Sequence, residues 1–408
     1  MTQADKDQRD LIRQLGGQVA QVAAGAENAL IRRRWRDVNA LRRPDRAPVW
    51  CRPMGCWKEI LPQESLVCWD PELRQVEYAL RQTLYKHNIG DDSPVEPYFA
   101  VPAVFDVHPA NVWGVDLARR RPEEEDGAWG FAPALNGPAD FDRLAMPAYS
   151  YNPEQTQRRC RWAEDLLGDS IPVKVTAGPG FDSGTLGTDA AELRGLEQMM
   201  LDSVLEPWLL HKLMRHVRDA RIGLLDEWEA CGLLTPNNTG PMICSDPLGP
   251  PAINGRFTLK NCWCAANSQE FDAVSPKAWE EFCLNYQRPI FERFGLVCYG
   301  CCENLTGKID AVLSIPNLRI FVCSAWTSLE VVLNRIDVDY VIMWRQKAGD
   351  VVFAEDVSAV RRGLEEGVRR LQGRCYQIVL RELQTLAGHP DRLHVWTDMA
   401  KELAAKYA

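Results

Sequence analysis

The chain has 408 residues, of which 46% are hydrophobic and 25% are charged, so it can bury a sizeable core and is not of the disordered class. Its formal net charge is −9, and it has no long basic run, so nucleic acid is not an expected partner. The N-terminus is polar and no long uncharged apolar stretch exists, so we expect a cytoplasmic protein without a membrane span. Its 14 cysteines are therefore expected to be mostly reduced thiols.

Residues 1–45 have a helical pattern with a charged face, and they predict an N-terminal helical extension. Residues 46–408 follow as one domain, in which short apolar segments predict eight buried strands. These segments lie near residues 48, 98, 172, 262, 297, 320, 341 and 377. Helical patterns separate them over the whole second half of the chain. One of these helices, over 275–294, begins with Ser275 as its cap and Pro276 in its first turn.

Apolar strands that alternate with helices are typical of a parallel sheet covered on both faces. Eight such units predict the α/β class, with a (β/α)₈ TIM barrel that carries the N-terminal extension and inserted loops. The two longest loops are predicted over 106–139 and 232–259. A doubly wound open sheet is the alternative, and the lack of a glycine-rich dinucleotide fingerprint after the first strand disfavours it.

The active site of such a barrel lies at the C-terminal ends of its strands, where Cys301, Cys302 and Glu303 follow the fifth strand. Thiolates and a carboxylate are suitable ligands for Zn²⁺ and leave a position open for substrate. The alternative is that the cysteines are small core residues and that Glu303 is a carboxylate favoured at a helix start.

Other charged residues are also predicted at strand ends. Glu270 and Glu382 can act as metal ligands or in proton transfer, or else form salt bridges, for Glu382 with neighbouring Arg381. Lys174 and Arg52, with Arg345 and Lys347, suit a carboxylated substrate. An aromatic wall for a flat organic ligand is predicted from Trp50, Tyr98, Trp326 and Trp344, with ordinary packing as the alternative.

Residues 46–406 resemble the uroporphyrinogen decarboxylase superfamily. The resemblance is best over 268–271, 274–282 and 286–289, and it extends to 193–197 and 201–202. It implies the same eight-stranded barrel. In the decarboxylases an arginine-rich segment on the first strand binds a polycarboxylate. Arg52 matches one of those arginines, but Cys56 stands where another is expected, so a carboxy-lyase acting on a different carboxylated substrate is our alternative function.

The chain is most similar to the branch of corrinoid-dependent methyltransferases. That branch has a zinc-binding His-x-Cys on the fifth strand and a cysteine on the eighth. Cys301 matches the cysteine of the first motif, Tyr299 stands in place of its histidine, and Glu382 stands near the position of the last cysteine. The resemblance thus implies Zn²⁺ held by Cys301 or Cys302 with Glu303 and Glu382.

The resemblance also implies an activity and its partners. We expect a metal-assisted methyltransferase that moves a methyl group between a small substrate, such as a methoxylated aromatic compound, and a corrinoid protein. The corrinoid (a cobalamin) is expected in trans from that partner, and a homodimer is expected because relatives are often dimers. Glu270, Tyr299, Lys174 and Arg52 are the expected catalytic residues.

Overall fold

Two helices precede the first strand in this computed structural model, which describes residues 3–120, 130–180, 182–251 and 253–408. The strands are β1 (Val49–Pro53), β2 (Phe99–Pro102), β3 (Phe105–His108), β4 (Ala118–Arg120), β5 (Gly130–Ala132), β6 (Ala148–Tyr151), β7 (Val173–Thr176), β8 (Trp263–Ala266), β9 (Leu296–Tyr299), β10 (Leu318–Cys323), β11 (Val341–Gln346) and β12 (Cys375–Leu383). The helices of the first half are α1 (Gln3–Ala24), α2 (Ala26–Asn39), α3 (Trp57–Ile60), α4 (Pro71–Ile89), α5 (Pro153–Leu167), α6 (Gly187–Arg194), α7 (Leu196–Leu205) and α8 (Pro207–Ala230). The helices of the second half are α9 (Pro276–Trp279), α10 (Asn285–Phe291), α11 (Ile309–Leu313), α12 (Leu329–Arg335), α13 (Ala348–Val352), α14 (Val357–Leu371) and α15 (Arg392–Lys406).

All eight predicted strands are present, as β1, β2 and β7–β12. Six of them form one parallel sheet in the order β1-β12-β11-β10-β9-β8, and β2 pairs in parallel with β7. Within the described residues, no ladder joins β1 to β2 or β7 to β8. The structure therefore confirms a parallel α/β fold, while the predicted closure of the barrel is not seen as continuous strand pairing.

The seam beside β1 is filled by the segment that precedes β2. Asp92 accepts a hydrogen bond from the Val49 amide through Oδ2 at 2.7 Å and donates its own amide to the Val49 carbonyl at 2.8 Å. Asp91 Oδ2 accepts from the Cys51 amide at 2.9 Å. Loop side chains thus take the place of a neighbouring strand and satisfy the backbone groups of the exposed edge.

The seam between β7 and β8 is filled in the same way by the predicted 232–259 loop. Asn237 donates from Nδ2 to the Trp263 carbonyl at 2.9 Å and accepts from the Trp263 amide at 2.8 Å. The Thr235 amide donates to the carbonyl of Ala177, just after β7, at 2.6 Å. The long loop is therefore part of the wall of the fold.

The inner face of the sheet has its own core. Side chains of alternate strand residues, among them Trp263, Ile320 and Met343, pack there with Trp35 of α2. A larger core lies between the outer face of the sheet and the surrounding helices. Because the inner cluster includes Trp35, α2 forms part of the barrel-like interior.

Three other features bear on the predictions. The predicted 106–139 loop contains β4 and β5, which pair with each other, and β3 pairs with β6. All 14 cysteines are free thiols, as expected. No helix among the described residues has both the length and the apolar character needed to cross a bilayer.

Candidate active site at the C-terminal edge of the sheet

A sharp turn after β9 sets the position of the two adjacent thiols. Gly300 has φ +110°, a backbone conformation that residues with a side chain rarely adopt. A Cβ at this position would also lie 2.9 Å from both Val322 Cβ and Leu305 Cδ1. Glycine is therefore required for the turn that brings Cys301 and Cys302 over the ends of the neighbouring strands.

Cys301, Cys302 and Glu382 form a triplet of metal-ligating groups. The two sulfurs are 3.5 Å apart, and Cys302 Sγ is 3.3 Å from Glu382 Oε1. One ligand atom from each residue lies within 4.8 Å of the other two, and all three residues are half-buried. Tetrahedral Zn²⁺ with bonds of roughly 2.0–2.3 Å needs ligand atoms roughly 3.3–3.8 Å apart. The triplet is thus close to the geometry of a zinc site with one open position.

A bulge in β12 directs Glu382 toward the thiols. The β1–β12 register shifts between Cys51 and Pro53, where β12 has one residue more than β1. Glu382 lies in this bulge with φ +62°, which costs on the order of 1 kcal/mol for a non-glycine residue. In a regular strand, neighbouring side chains point to opposite faces. Here Arg381 and Glu382 are adjacent in sequence, yet both interact electrostatically with the same pair of cysteines.

Arg345 lies beneath the triplet on β11 and is only 3% exposed. Its Nη1 donates to the Cys301 carbonyl at 2.7 Å and to Cys301 Sγ at 3.5 Å. The same nitrogen is 3.6 Å from Glu382 Oε1. Arg345 thus holds the turn and places a positive charge beside two of the acidic groups.

The two adjacent thiols, Cys301 and Cys302, differ in their pKa. The hydrogen bond from Cys302 and the charges of Arg345 and Arg381 lower the pKa of Cys301 to about 5. The pKa of Cys302 is raised because its proton is held in that hydrogen bond and because it is partly buried. By contrast, burial raises the pKa of Cys298, which lies within β9, to about 12. The lowered pKa makes Cys301 the more acidic thiol of this pair, and so the sulfur favoured as a nucleophile and as a metal ligand.

Glu303 lies apart from the triplet, although the sequence predicts it as a ligand. It is 2% exposed, and burial raises its pKa. Its Oε1 accepts from the amide and hydroxyl of Ser268 at 2.8 and 3.2 Å, and its Oε2 accepts from the Cys301 amide at 2.9 Å. With both oxygens engaged, Glu303 joins the cysteine turn to the loop after β8.

Tyr299 points away from the site. It is fully buried, its hydroxyl donates to Gln287 Oε1 at 2.9 Å, and its ring packs about 6 Å from those of Trp279 and Phe291. Because strand side chains alternate, Cys298 faces the interior and Tyr299 faces the helices. The structure therefore places this predicted catalytic residue in the outer core.

Glu270 lies beside the start of α6 and is not part of the triplet. Its Oε1 accepts from Thr188 Oγ1 at 2.7 Å, and its Oε2 is buried with no hydrogen-bond partner among the described residues. A Cβ on Gly187 would collide with this carboxylate. Glu270 is thus held against the end of a helix, where the helix dipole favours a negative charge.

Lys174 and Tyr98 contact each other, with Lys174 Nζ 4.7 Å from the centroid of the Tyr98 ring. Tyr98 precedes the first residue of β2, so it lies at the N-terminal end of that strand. The sequence-based prediction grouped it with the residues at the C-terminal strand ends. The structure does not bring this pair to the cysteine site.

Arg52 and Trp50 lie on the inner face of β1. Arg52 is exposed. Its charge lowers the pKa of Arg381 on the neighbouring strand β12, so Arg52 lies near the site. Trp50 is 6% exposed and packs in the inner core. Both residues line a cavity of about 350 Å³ together with Trp57 and Lys86.

The other two predicted aromatic residues, Trp326 and Trp344, differ in exposure and position. Trp326, in the loop after β10, is 58% exposed and has Lys347 Nζ 5.2 Å from its ring centroid. Trp344 packs on the outer face of β11, where its ring fills the space above Gly367 of α14. Trp326 thus presents its ring at the C-terminal edge, and Trp344 is a core residue.

Sequence reasoning missed the role of Arg381, which it considered only as a salt-bridge partner. Burial and the nearby charges of Arg345 and Arg52 lower its pKa. These three arginines come from the ends of the adjacent strands β11, β12 and β1. Their common position at strand ends was the signal that could have grouped them.

The fold and the site together define a parallel α/β protein with a thiol–carboxylate site at the C-terminal edge of its sheet. No protein-family model and no curated protein matches the chain. Among solved structures, it is similar to a methyltransferase from Methanosarcina mazei, with a TM-score of 0.52 and 11% sequence identity. The similarity covers 91% of this chain and 98% of that one. At this identity the likeness shows the fold alone.

Proposed function

We propose that this protein is a metal-assisted methyltransferase that moves a methyl group between a small substrate and a corrinoid protein. The observation that carries the proposal is the triplet of Cys301, Cys302 and Glu382 at the C-terminal edge of the sheet. The similarity of the fold to that of a methyltransferase supports it. We include in it the superfamily membership that the sequence predicts.

The triplet provides two sulfurs and one oxygen for Zn²⁺, with the fourth position left for substrate. Zinc bound there supplies Lewis-acid activation of a substrate oxygen or sulfur. The lowered pKa of Cys301 favours its thiolate before a metal binds, whereas the raised pKa of Cys302 means that this thiol would release its proton on binding.

Two residues hold the triplet in place before any ligand arrives. Arg345 donates to the Cys301 carbonyl, and Glu303 accepts from the Cys301 amide, so the turn is fixed from both sides. Groups held in this way lose little freedom when a ligand binds, which favours both metal affinity and catalysis. We therefore assign Glu303 a positioning role and Glu382 the role of carboxylate ligand.

The loops around the site favour a flat substrate and a protein partner. Met54, Trp326 and Phe353 follow β1, β10 and α13 at this edge and are 38%, 58% and 65% exposed. Exposed apolar groups around a polar site are typical of a docking surface. We propose that a corrinoid protein docks here and that Trp326 contacts a methoxylated aromatic substrate. A homodimer remains part of the proposal.

The proposal is tested by offering free cob(I)alamin and a panel of methoxylated aromatic compounds to the zinc-loaded protein. We expect methylcobalamin and the corresponding phenol to form in equal amounts, measured by mass spectrometry. The Cys301→Ser and Cys302→Ser double variant should lose this activity, while Cys231→Ser, far along the chain in a helix cap, should keep it. Absence of methylcobalamin with every substrate would overturn the proposal.

The carboxy-lyase alternative is favoured by the three arginines, since guanidinium groups bind carboxylates. It predicts release of CO₂ that survives a chelator, because it assigns no role to the metal. Methyl transfer that stops with the chelator and returns with zinc excludes it.

A further inference from the structure

We propose that Arg345, Arg381 and Arg52 form an oxyanion-binding subsite beside the triplet, so that the protein acts on an anionic substrate. This inference rests on the proposed function for what happens to the bound molecule, but the subsite itself is defined by the geometry of the arginines. Its ligand is a carboxylate, sulfonate or phosphate group.

The three arginines converge from adjacent strands. Arg345 pairs in register with Val379 of β12, two residues before Arg381, so both guanidinium groups extend from one face of the sheet. Arg52 lies in the shifted part of the β1–β12 pair, opposite Arg381. In line with this placement, the charges of Arg345 and Arg52 both lower the pKa of Arg381.

Their hydrogen-bonding capacity is largely unused. The Nε atoms of Arg345 and Arg381 are both buried and have no partner within the described part of the chain. Neither Arg381 nor Arg52 forms a hydrogen bond or ion pair with any described residue. A buried donor left without a partner costs roughly 1–3 kcal/mol, so two such donors in one place need an explanation.

The neighbouring acidic groups balance only part of the cluster's charge, because Arg345 faces Glu382 and the Cys301 sulfur whereas Arg52 and Arg381 have no ion-pair partner among the described residues. Glu382 is 3.6 Å from Arg345 and is directed by the bulge to Cys302. Asp182 affects the pKa of the nearby Cys298 thiol, as Arg345 and Arg381 do, but no ion pair joins it to them among the described residues. Three like charges held together repel each other, and an oxyanion placed among them removes the repulsion and fills the free donors.

The subsite would hold a substrate with its acidic group on the arginines and its reacting atom toward the triplet. Arg345 contacts both regions, because its Nη1 is bonded at the Cys301 turn while its Nε remains free. The bound molecule is therefore oriented by its anionic end. A neutral molecule of the same shape would lack this anchor.

The test is calorimetric titration of the metal-free, chelator-treated protein with four probes of one shape: benzoate, benzenesulfonate, phenyl phosphate and neutral benzamide. We expect saturable binding of at least one anion and binding of benzamide that is weaker by roughly 10-fold or more. The preferred anion tells carboxylate, sulfonate and phosphate substrates apart.

Arg381→Met should weaken anion binding by roughly 10- to 100-fold, and Arg381→Lys should restore part of it. The matched control Arg362→Met removes an exposed arginine with 70% side-chain exposure and should bind like the unmodified protein. No anion binding, benzamide binding as tight as the anions, or unaltered binding by folded Arg381→Met would each overturn the subsite. Because no metal or corrinoid is present, failure of methyl transfer leaves this result unaffected.

Discussion

Arg34 and Arg46 beside Asp92, and Arg345 and Arg381 beside the cysteine triplet, are all at least partly buried, but the two groups differ in what neutralises their charge. Asp92 is 1% exposed and accepts from Arg46 at 2.6 and 2.8 Å and from Arg34 at 3.1 Å. Arg381, on the neighbouring strand β12, has no such partner in the described chain. The first group closes a seam of the fold, whereas the second leaves its donors free for a ligand. Pairing, more than burial, separates structural arginines from functional ones.

The largest effect on stability is expected at Asp92, which pairs with Arg34 and Arg46. Asp92→Ala removes the carboxylate that the Val49 amide and the buried Arg46 bind, and it leaves Arg34 with Asp45 as its carboxylate partner, so the free energy of unfolding should fall by about 3–5 kcal/mol. Asp45→Ala is the matched control, because Asp45 binds Arg34 from an exposed position and should cost under about 1 kcal/mol. Urea denaturation followed by circular dichroism measures both. Equal losses would mean that the seam is not held by Asp92.

The next effect concerns the reactivity of Cys301. A pKa of about 5 means that the thiolate forms as pH rises through 5, so alkylation by iodoacetamide should increase from pH 4 to 6 and then level off. At pH 7 its thiolate fraction should exceed that of an ordinary thiol by roughly 30-fold. Mass spectrometry of the metal-free protein identifies the modified residue.

Two variants control for this reactivity. Cys301→Ser should remove the early reaction, and Cys302→Ala should shift the midpoint to higher pH because it removes the hydrogen-bond donor. A midpoint above pH 8 in the unmodified protein would contradict the assigned electrostatics.

A smaller loss of stability is expected when Glu303 is replaced. Glu303→Ala leaves the Ser268 and Cys301 amides without an acceptor, which should cost about 1–3 kcal/mol in thermal or chemical denaturation. Glu303→Gln should cost less and should retain zinc, whereas Glu382→Gln should bind zinc more weakly. Loss of zinc from folded Glu303→Gln would restore the original prediction that Glu303 is a ligand.

The smallest stability change is expected at Arg381, which has no ion-pair partner in the described chain. Arg381→Met removes a charge that its neighbours repel, so the free energy of unfolding should stay within about 1 kcal/mol of the original or rise slightly. The same denaturation experiment that measures Asp92→Ala measures this variant. A loss as large as that of Asp92→Ala would show that the two groups of arginines have the same structural role.

The strands were the part of the fold that the sequence predicted well, because each is a short, largely apolar run, and β1, β2 and β9 also end at a proline or before a glycine. The helix α4 was not predicted, although Asp70 caps it and Pro71 begins it. The seams could not be predicted, since they depend on side chains such as Asp92 bonding to a strand 43 residues away.

The candidate site was predicted in part. Its location followed from the strand ends, and Cys301, Cys302 and Glu382 were named. Which side chains face the site could not be read from spacing, because the Gly300 turn and the bulge at Glu382 change the alternation. Tyr299 and Glu303 were therefore placed at the site although they face the outer core and the loop after β8.

Zinc-edge X-ray absorption of the zinc-loaded protein tests the central claim most directly. The account predicts a first shell with about two sulfur atoms at about 2.3 Å and oxygen or nitrogen atoms near 2.0 Å. Cys301→Ser should leave one sulfur in that shell. A shell without sulfur, or a protein that retains no zinc, would contradict the claim that the adjacent thiols and Glu382 hold the metal.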